Sequence, residues 1–382
     1  MSVQEQLTHD YLDLPSEEID RRIRAAKGAL GDSLLILGHH YQQDDVIKFA
    51  NLRGDSFKLA RQASEHDEAE YIVFCGVHFM AESADIVSAP HQKVVLPDLS
   101  AGCSLADMAQ IDDVEYCWER LTGRKAERGG AEDHAPAEPS ASGKPGDSII
   151  PITYVNSAAS LKAFCGRNGG AVCTSSNAAA VLEWAFTKGN RVLFFPDQHL
   201  GRNTAYKMGI SLDDMALWDP IDGPDGAGLE EIRSKRVILW NGYCSVHQRF
   251  TTDQVKAARE SFPGIEILVH PECRFDVVQA ADYCGSTEYI IKMVKESPSG
   301  TKWAIGTEIN LVHRLAGEYP DRHIMSLDPV VCVCSTMYRI DPMHLLWALE
   351  NLVEGRVVNQ VKVPADVAEW AKVALDRMLR IT

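Results

Sequence analysis

Three cysteines in turn-like surroundings are the residues with the most chemistry to offer: Cys103 in LSAGCSLADM, Cys244 in WNGYCSVHQRF and Cys334 in VVCVCSTMYRI. They are 141 and 90 residues apart. If three similar domains meet about a pseudo-threefold axis, equivalent loops converge there and three thiolates can bind one metal centre. Soft thiolates select an iron–sulfur cluster or zinc. The closest pair, Cys332 and Cys334, is too tight for an ordinary zinc knuckle, and the absence of C-x-x-C spacing favours iron–sulfur.

Three polar clusters follow apolar runs: His39, His40, Tyr41 and Gln42; Tyr154, Asn156 and Ser157; His270, Pro271 and Glu272. A cavity that collected them would hold proton donors, acceptors and a carboxylate together, the equipment of general acid–base catalysis. Hydroxyl-rich turns form a third set: Ser56 in RGDSF, Thr174 to Asn177 with Ser175 among them, and Gly285-Ser286-Thr287. Such residues cap helices, and helix N-termini also receive carboxylate or phosphate.

The elements that must position these groups read as alternating strands and helices. Strand-like runs are 34–37, 71–74, 94–96, 149–152, 171–172, 192–195, 237–240, 265–269 and 303–305. Helix-period stretches lie between them, at 46–65, 158–164, 178–187, 252–261 and 287–295. This alternation predicts parallel sheets flanked by helices, with function in the loops after the strands. A repeat is legible too. The Gly76, Thr174 and Gly285 turns precede the Pro97, Pro196 and Gly306 turns by 21, 22 and 21 residues, which points to a threefold repeat. Residues 123–147 lack large apolar side chains and read as a surface insertion, and 219–228 as a decorated connection. Near the end Val367, Trp370, Val373, Ala374 and Leu375 have helical spacing after Pro364, which suggests a helix packed on the third domain.

Composition narrows the function. The 382 residues are 45% hydrophobic and 24% charged, enough for two or three packed domains. With 38 Lys and Arg against 54 Asp and Glu, the net charge of −16 argues against nucleic-acid or membrane partners. No signal-peptide pattern opens the chain, so a cytoplasmic location is expected, and with it reduced thiols.

The motifs GHHYQ, GDS, PDLSAGCSLAD, YVNS, CTSSNA, PDQHLGRN, GYCSVHQRF, HPEC, GST and GTE occur in the order found in the quinolinate synthase (NadA) family, which the chain resembles from about Leu34 to Met337. The resemblance implies three αβα sandwich domains about a pseudo-threefold axis: 1–110 with 340–382, then 148–245 and 246–339, joined through 111–147. It implies a 4Fe-4S cluster on Cys103, Cys244 and Cys334, the last chosen over Cys332 because the family pattern resembles C-x-x-M. The family's cavity residues fall on His39, Tyr41, Ser56, Tyr154, Asn156, Ser175, His247, His270, Glu272, Ser286 and Thr287.

The implied reaction condenses iminoaspartate with dihydroxyacetone phosphate, losing phosphate and water to give quinolinate for NAD biosynthesis, with transient contact to an iminoaspartate-producing enzyme. An iron with three protein ligands is open to act as a Lewis acid. Glu272 would be the general base, its pKa raised towards neutrality by enclosure, with Tyr41, His39, His270 and Tyr154 beside it. Ser56, Ser175, Ser286 and Thr287 would hold the anionic groups. An iron–sulfur hydratase, an iron–sulfur sensor and a zinc-binding α/β protein are the rival readings.

Overall fold

The computed structural model describes residues 4–5, 7–125, 148–223, 227–330 and 333–381. They fall into two compact units. The smaller is drawn from Met1–Cys103, Glu308–Arg314 and Val331–Val363, the larger from Ser104–Thr307, Leu315–Val330 and Pro364–Thr382.

The strands are β1 (Leu34–His39), β2 (Leu52–Gly54), β3 (Tyr71–Cys75), β4 (Lys93–Val95), β5 (Ile149–Tyr154), β6 (Ala171–Cys173), β7 (Arg191–Phe195), β8 (Met215–Trp218), β9 (Val237–Trp240), β10 (Glu266–Val269), β11 (Tyr283–Cys284), β12 (Lys302–Gly306), β13 (His323–Ser326) and β14 (Gln360–Val361). Runs such as β1, β3, β5, β7 and β9 are buried along their whole length, because helices cover both faces of a parallel sheet. The smaller unit holds the sheet β14-β4-β3-β1-β2, and the larger holds β6-β5-β7-β9-β8 and β11-β10-β12-β13. All pairings are parallel except β14 with β4.

The αβα class anticipated from the sequence is therefore observed. Each sheet contains four parallel strands in one order: β2-β1-β3-β4, β6-β5-β7-β9 and β11-β10-β12-β13. Matching helices follow the second strand (Ser56–Glu65, Ala178–Lys188, Thr287–Glu296) and the third (His78–Val87, Gln198–Lys207, Ile309–Glu318).

The stretch 46–65 is not one helix. It forms a short helix Asp44–Ile47, then β2, then the helix Ser56–Glu65 capped by the Asp55 side chain. The turn residues of RGDS end a three-residue strand too short to show alternation. Without β2 the first repeat is aligned one strand out of register. With it, Gly54 to Gly76, Thr174 to Pro196 and Gly285 to Gly306 are the matching intervals, of 22, 22 and 21 residues. The C-terminal helix Ala365–Arg380 also differs from expectation: it packs on the helix Ala159–Arg167 and on β6, beside the second sheet. A Cβ on Gly166 would stand 2.0 Å from the Trp370 carbonyl oxygen, so only glycine admits this contact. Among the described residues no helix is long and apolar enough to cross a membrane.

Candidate active site

The three cysteines singled out by their surroundings occupy loops that share one spacing. Each lies seven residues before a helix N-cap: Cys103 before Gln110, Cys244 before Thr251, Cys334 before Asp341. In the last two loops the cysteine carbonyl accepts the N–H four residues on, from Gln248 at 2.9 Å and Tyr338 at 3.0 Å, and a 3-10 turn follows. The Cys103 loop is braced by Asp98, whose carboxylate accepts from the N–H and hydroxyl of Ser100. Behind Cys244, the Gln198 N–H donates to the Gly242 carbonyl at 2.9 Å, and a Cβ on Gly242 would meet the Pro196 oxygen at 2.3 Å.

The nine described cysteines form no disulfide; Cys75, Cys117, Cys165, Cys173 and Cys273 are buried, while Cys103, Cys244, Cys284 and Cys334 reach the surface in part. Burial pushes the Cys75 thiol up to about 12, and Cys284 to about 12 as well. A thiol ligand must ionise and be reached, which the buried five are not placed to do. The three loop cysteines can each be reached, although burial raises the Cys334 thiol as well.

Glu272 is the centre of the larger unit's polar site. It is 3% exposed. Its carboxylate accepts the Tyr154 hydroxyl at 2.5 Å and lies 2.8 Å from His247 Nδ1. His247 Nε2 is 3.2 Å from the Thr307 hydroxyl, and its ring stacks on His270 at 4.6 Å. The Cys244 sulfur and one ligand atom each from His247 and Glu272 all lie within 4.8 Å of one another.

The electrostatics correct one expectation. Burial pushes the Glu272 carboxyl up, but the facing His247 and His270 rings and the hydrogen bonds from His247 and Tyr154 outweigh it and hold the group down at about 2. The raised carboxyl is its neighbour Asp197, pushed well above the usual carboxylate range by complete burial and by the Glu272 charge, against the opposing backbone N–H groups of Leu200, His199 and Cys244. Burial lowers His270 to about 3, against the Glu272 charge, which raises it.

The Asn156 Oδ1 is buried without a hydrogen-bond partner, an acceptor left for a ligand. Ser175 and Ser286 line one cavity of about 750 Å³ with Lys207. Ser286 caps its helix through the Tyr289 N–H, and the buried Thr287 begins that helix.

In the smaller unit His39 is buried, its Nδ1 accepts the Tyr41 N–H at 3.1 Å, and the two rings meet edge to face at 4.8 Å. Ser56 is the first residue of its helix. Glu308, fully buried, is raised by desolvation to about 7 despite backbone N–H groups from Asn310, Cys334 and Leu311.

Against known proteins, the family model described as "Quinolinate synthetase A protein" (NadA) matches residues 21–380. The chain belongs to that family. It is 54% identical to the quinolinate synthase of Acidobacterium capsulatum over 97% of this chain and 95% of the relative. It is 53% identical to that of Corynebacterium glutamicum over 99% of this chain and 91% of the relative, and 53% identical to that of Geobacillus sp. over 98% and 96%. The enzyme class inferred from the quinolinate synthase motifs is the class these relatives carry. Cys332 and residues 126–147 of the insertion lie outside the described residues. Thr307, Asp197 and Glu308 stand inside the family motifs GTE and PDQHLGRN, yet residue type and spacing alone did not mark them as site residues, since a lone buried carboxylate or hydroxyl is more often structural.

Proposed function

We propose that the chain makes quinolinate by condensing iminoaspartate with dihydroxyacetone phosphate, in the biosynthesis of NAD. The observation that carries this reading is the enclosure of Glu272 by Tyr154, His247 and His270 beside the half-buried Cys244. The reaction needs repeated proton transfers and loss of water, and this pocket supplies an ionised carboxylate, a phenol and imidazoles that share protons. Glu272 takes the substrate proton, Tyr154 and His270 hand protons on, and His247 holds the carboxylate in place. Asn156 offers its empty acceptor to a substrate N–H or O–H, and Ser175, Ser286 and Thr287 receive carboxylate or phosphate at two helix N-termini. The family pattern assigns His39, Tyr41 and Ser56 of the smaller unit to substrate.

Cys103, Cys244 and Cys334 are assigned as ligands of a 4Fe-4S cluster. When bound, such a cluster supplies an open iron that acts as a Lewis acid on a substrate oxygen. The recurring loop before each N-cap supports the three cysteines as equivalents, and the common strand order supports three homologous domains. Purification without oxygen, followed by iron and sulfide analysis and an assay for quinolinate and phosphate release, tests the reading. A brown protein that forms quinolinate is expected. A colourless zinc protein, or an iron–sulfur protein that only hydrates or dehydrates a substrate, overturns it.

A further inference from the structure

The loops carrying Glu272 and Tyr41 are gripped from behind in the same way. In the larger unit the Asn203 side-chain amide donates to the Pro271 carbonyl at 2.8 Å and to the Cys273 carbonyl at 2.9 Å, the two carbonyls that flank Glu272. In the smaller unit the Arg314 guanidinium donates to the His40 carbonyl at 2.8 Å and to the Gln42 carbonyl at 2.5 Å, the two that flank Tyr41.

The registers agree residue for residue. His39 closes β1 and His270 directly follows β10, the first strand of its sheet. Each ring accepts through Nδ1 the N–H two residues on, from Tyr41 at 3.1 Å and Glu272 at 3.3 Å. Each carbonyl accepts the N–H three residues on, from Gln42 at 2.9 Å and Cys273 at 3.0 Å. Tyr41 therefore corresponds to Glu272. The gripping residues correspond as well: Asn203 and Arg314 are each the sixth residue of the helix after the third strand, Gln198–Lys207 and Ile309–Glu318.

Neither residue is explained by its own helix. Asparagine is a poor helix former, and both side chains are removed from water, Asn203 at 5% exposure and the Arg314 side chain at 10%. What each gains is a pair of carbonyls in irregular backbone, whose hydrogen bonds no strand supplies, and Arg314 also pairs through Nε with the Asp44 carboxylate at 2.6 Å. Fixing the carbonyls on either side of one residue fixes the direction in which its side chain leaves the backbone. We propose that Asn203 and Arg314 are positioning residues that aim Glu272 for proton transfer and Tyr41 at substrate; this rests on the reading of those two residues given above.

The test uses the iron-loaded enzyme with Asn203→Leu and Arg314→Met, which remove the donors, and Asn203→Asp and Arg314→Lys, which keep size or charge. Misaiming a reacting group by an ångström costs roughly 10²-fold. Donor removal is expected to lower kcat about 10- to 100-fold with KM within about twofold and iron content unchanged. Arg314→Lys should recover much of the loss, since one ammonium can still donate to both carbonyls. Amide hydrogen exchange on the iron-free protein supplies a readout without turnover: peptides spanning 270–274 should exchange faster in Asn203→Leu, and those spanning 39–43 in Arg314→Met. Wild-type kcat in the donor-less variants overturns the proposal, as does a fall in kcat that merely tracks lost iron or lost folded protein in all four. Glu272→Gln and Tyr41→Phe run in parallel separate the two levels: wild-type turnover there removes the underlying roles, whereas loss there with full activity in Asn203→Leu and Arg314→Met removes only the clamp.

Discussion

The Tyr154 hydroxyl, at the end of β5, meets the Glu272 carboxylate, just beyond β10, at 2.5 Å, so two sheets of the larger unit are joined through the proposed proton acceptor. A carboxylate held by both a phenol and an imidazole is a weak base while those donors stay in place. It gains basicity when substrate takes one of them away.

Tyr154→Phe should therefore shift the acid limb of the kcat/KM profile upward. The lost donor stabilised the charged carboxylate, so its removal raises the pKa, and a hydrogen bond to a charged group is worth about 1.5–3 kcal/mol, or roughly one to two pH units. A pH–rate series on wild type and variant measures it. A downward shift, or none, would mean that the phenol does not hold the charged form.

Glu272→Gln keeps the shape and removes the proton acceptor. Turnover should fall by roughly 10² to 10⁴ while product still binds, the usual weight of a general base. Anaerobic assays and binding titrations on one preparation separate the two effects. Wild-type turnover would pass the acid–base role to His39 or His270.

Serine at Cys103, Cys244 or Cys334 should each remove most cluster iron, because an alkoxide replaces a thiolate poorly. The same change at Cys75, Cys117 or Cys165, whose thiols burial holds protonated, should leave iron content near wild type. Iron and sulfide analysis of the six proteins decides it, full loading in the first three being the adverse result.

Two glycines should respond in opposite directions. Gly166→Ala places a methyl against the Trp370 carbonyl and should cost about 1–3 kcal/mol. Gly28→Ala, inside the helix Ser16–Leu30 with nothing within 4 Å, should stabilise by about 0.5–1 kcal/mol. Denaturant midpoints at constant slope measure both.

The long apolar runs of β1, β3, β5, β7 and β9 were legible because strands buried on both faces have no polar residues to break them. The strands β2, β8, β11, β13 and β14 were not, being short or partly exposed, with identities set by neighbours distant in sequence. For the candidate site, type and spacing singled out Cys103, Cys244, Cys334, His270 and Glu272. They could not find Asn203 or Arg314, since hydrogen bonds to backbone carbonyls leave no mark on the sequence of the loop that is held. Nor could they give the sense of the Glu272 shift. Enclosure alone argues for a raised pKa, and only the positions of Tyr154, His247 and His270 reverse it.

The helix Ala365–Arg380 lies against the second sheet's helix Ala159–Arg167, and the Asn177 side chain donates to the carbonyls of Met378 and Ile381. Some two hundred residues of chain separate the two halves of that contact. On the ribosome, the flank of the second sheet therefore stays bare from the time β5–β7 emerge until the helix follows. Over that interval the apolar surface that Trp370, Ala374 and Met378 will cover is open to chaperones and to other nascent chains.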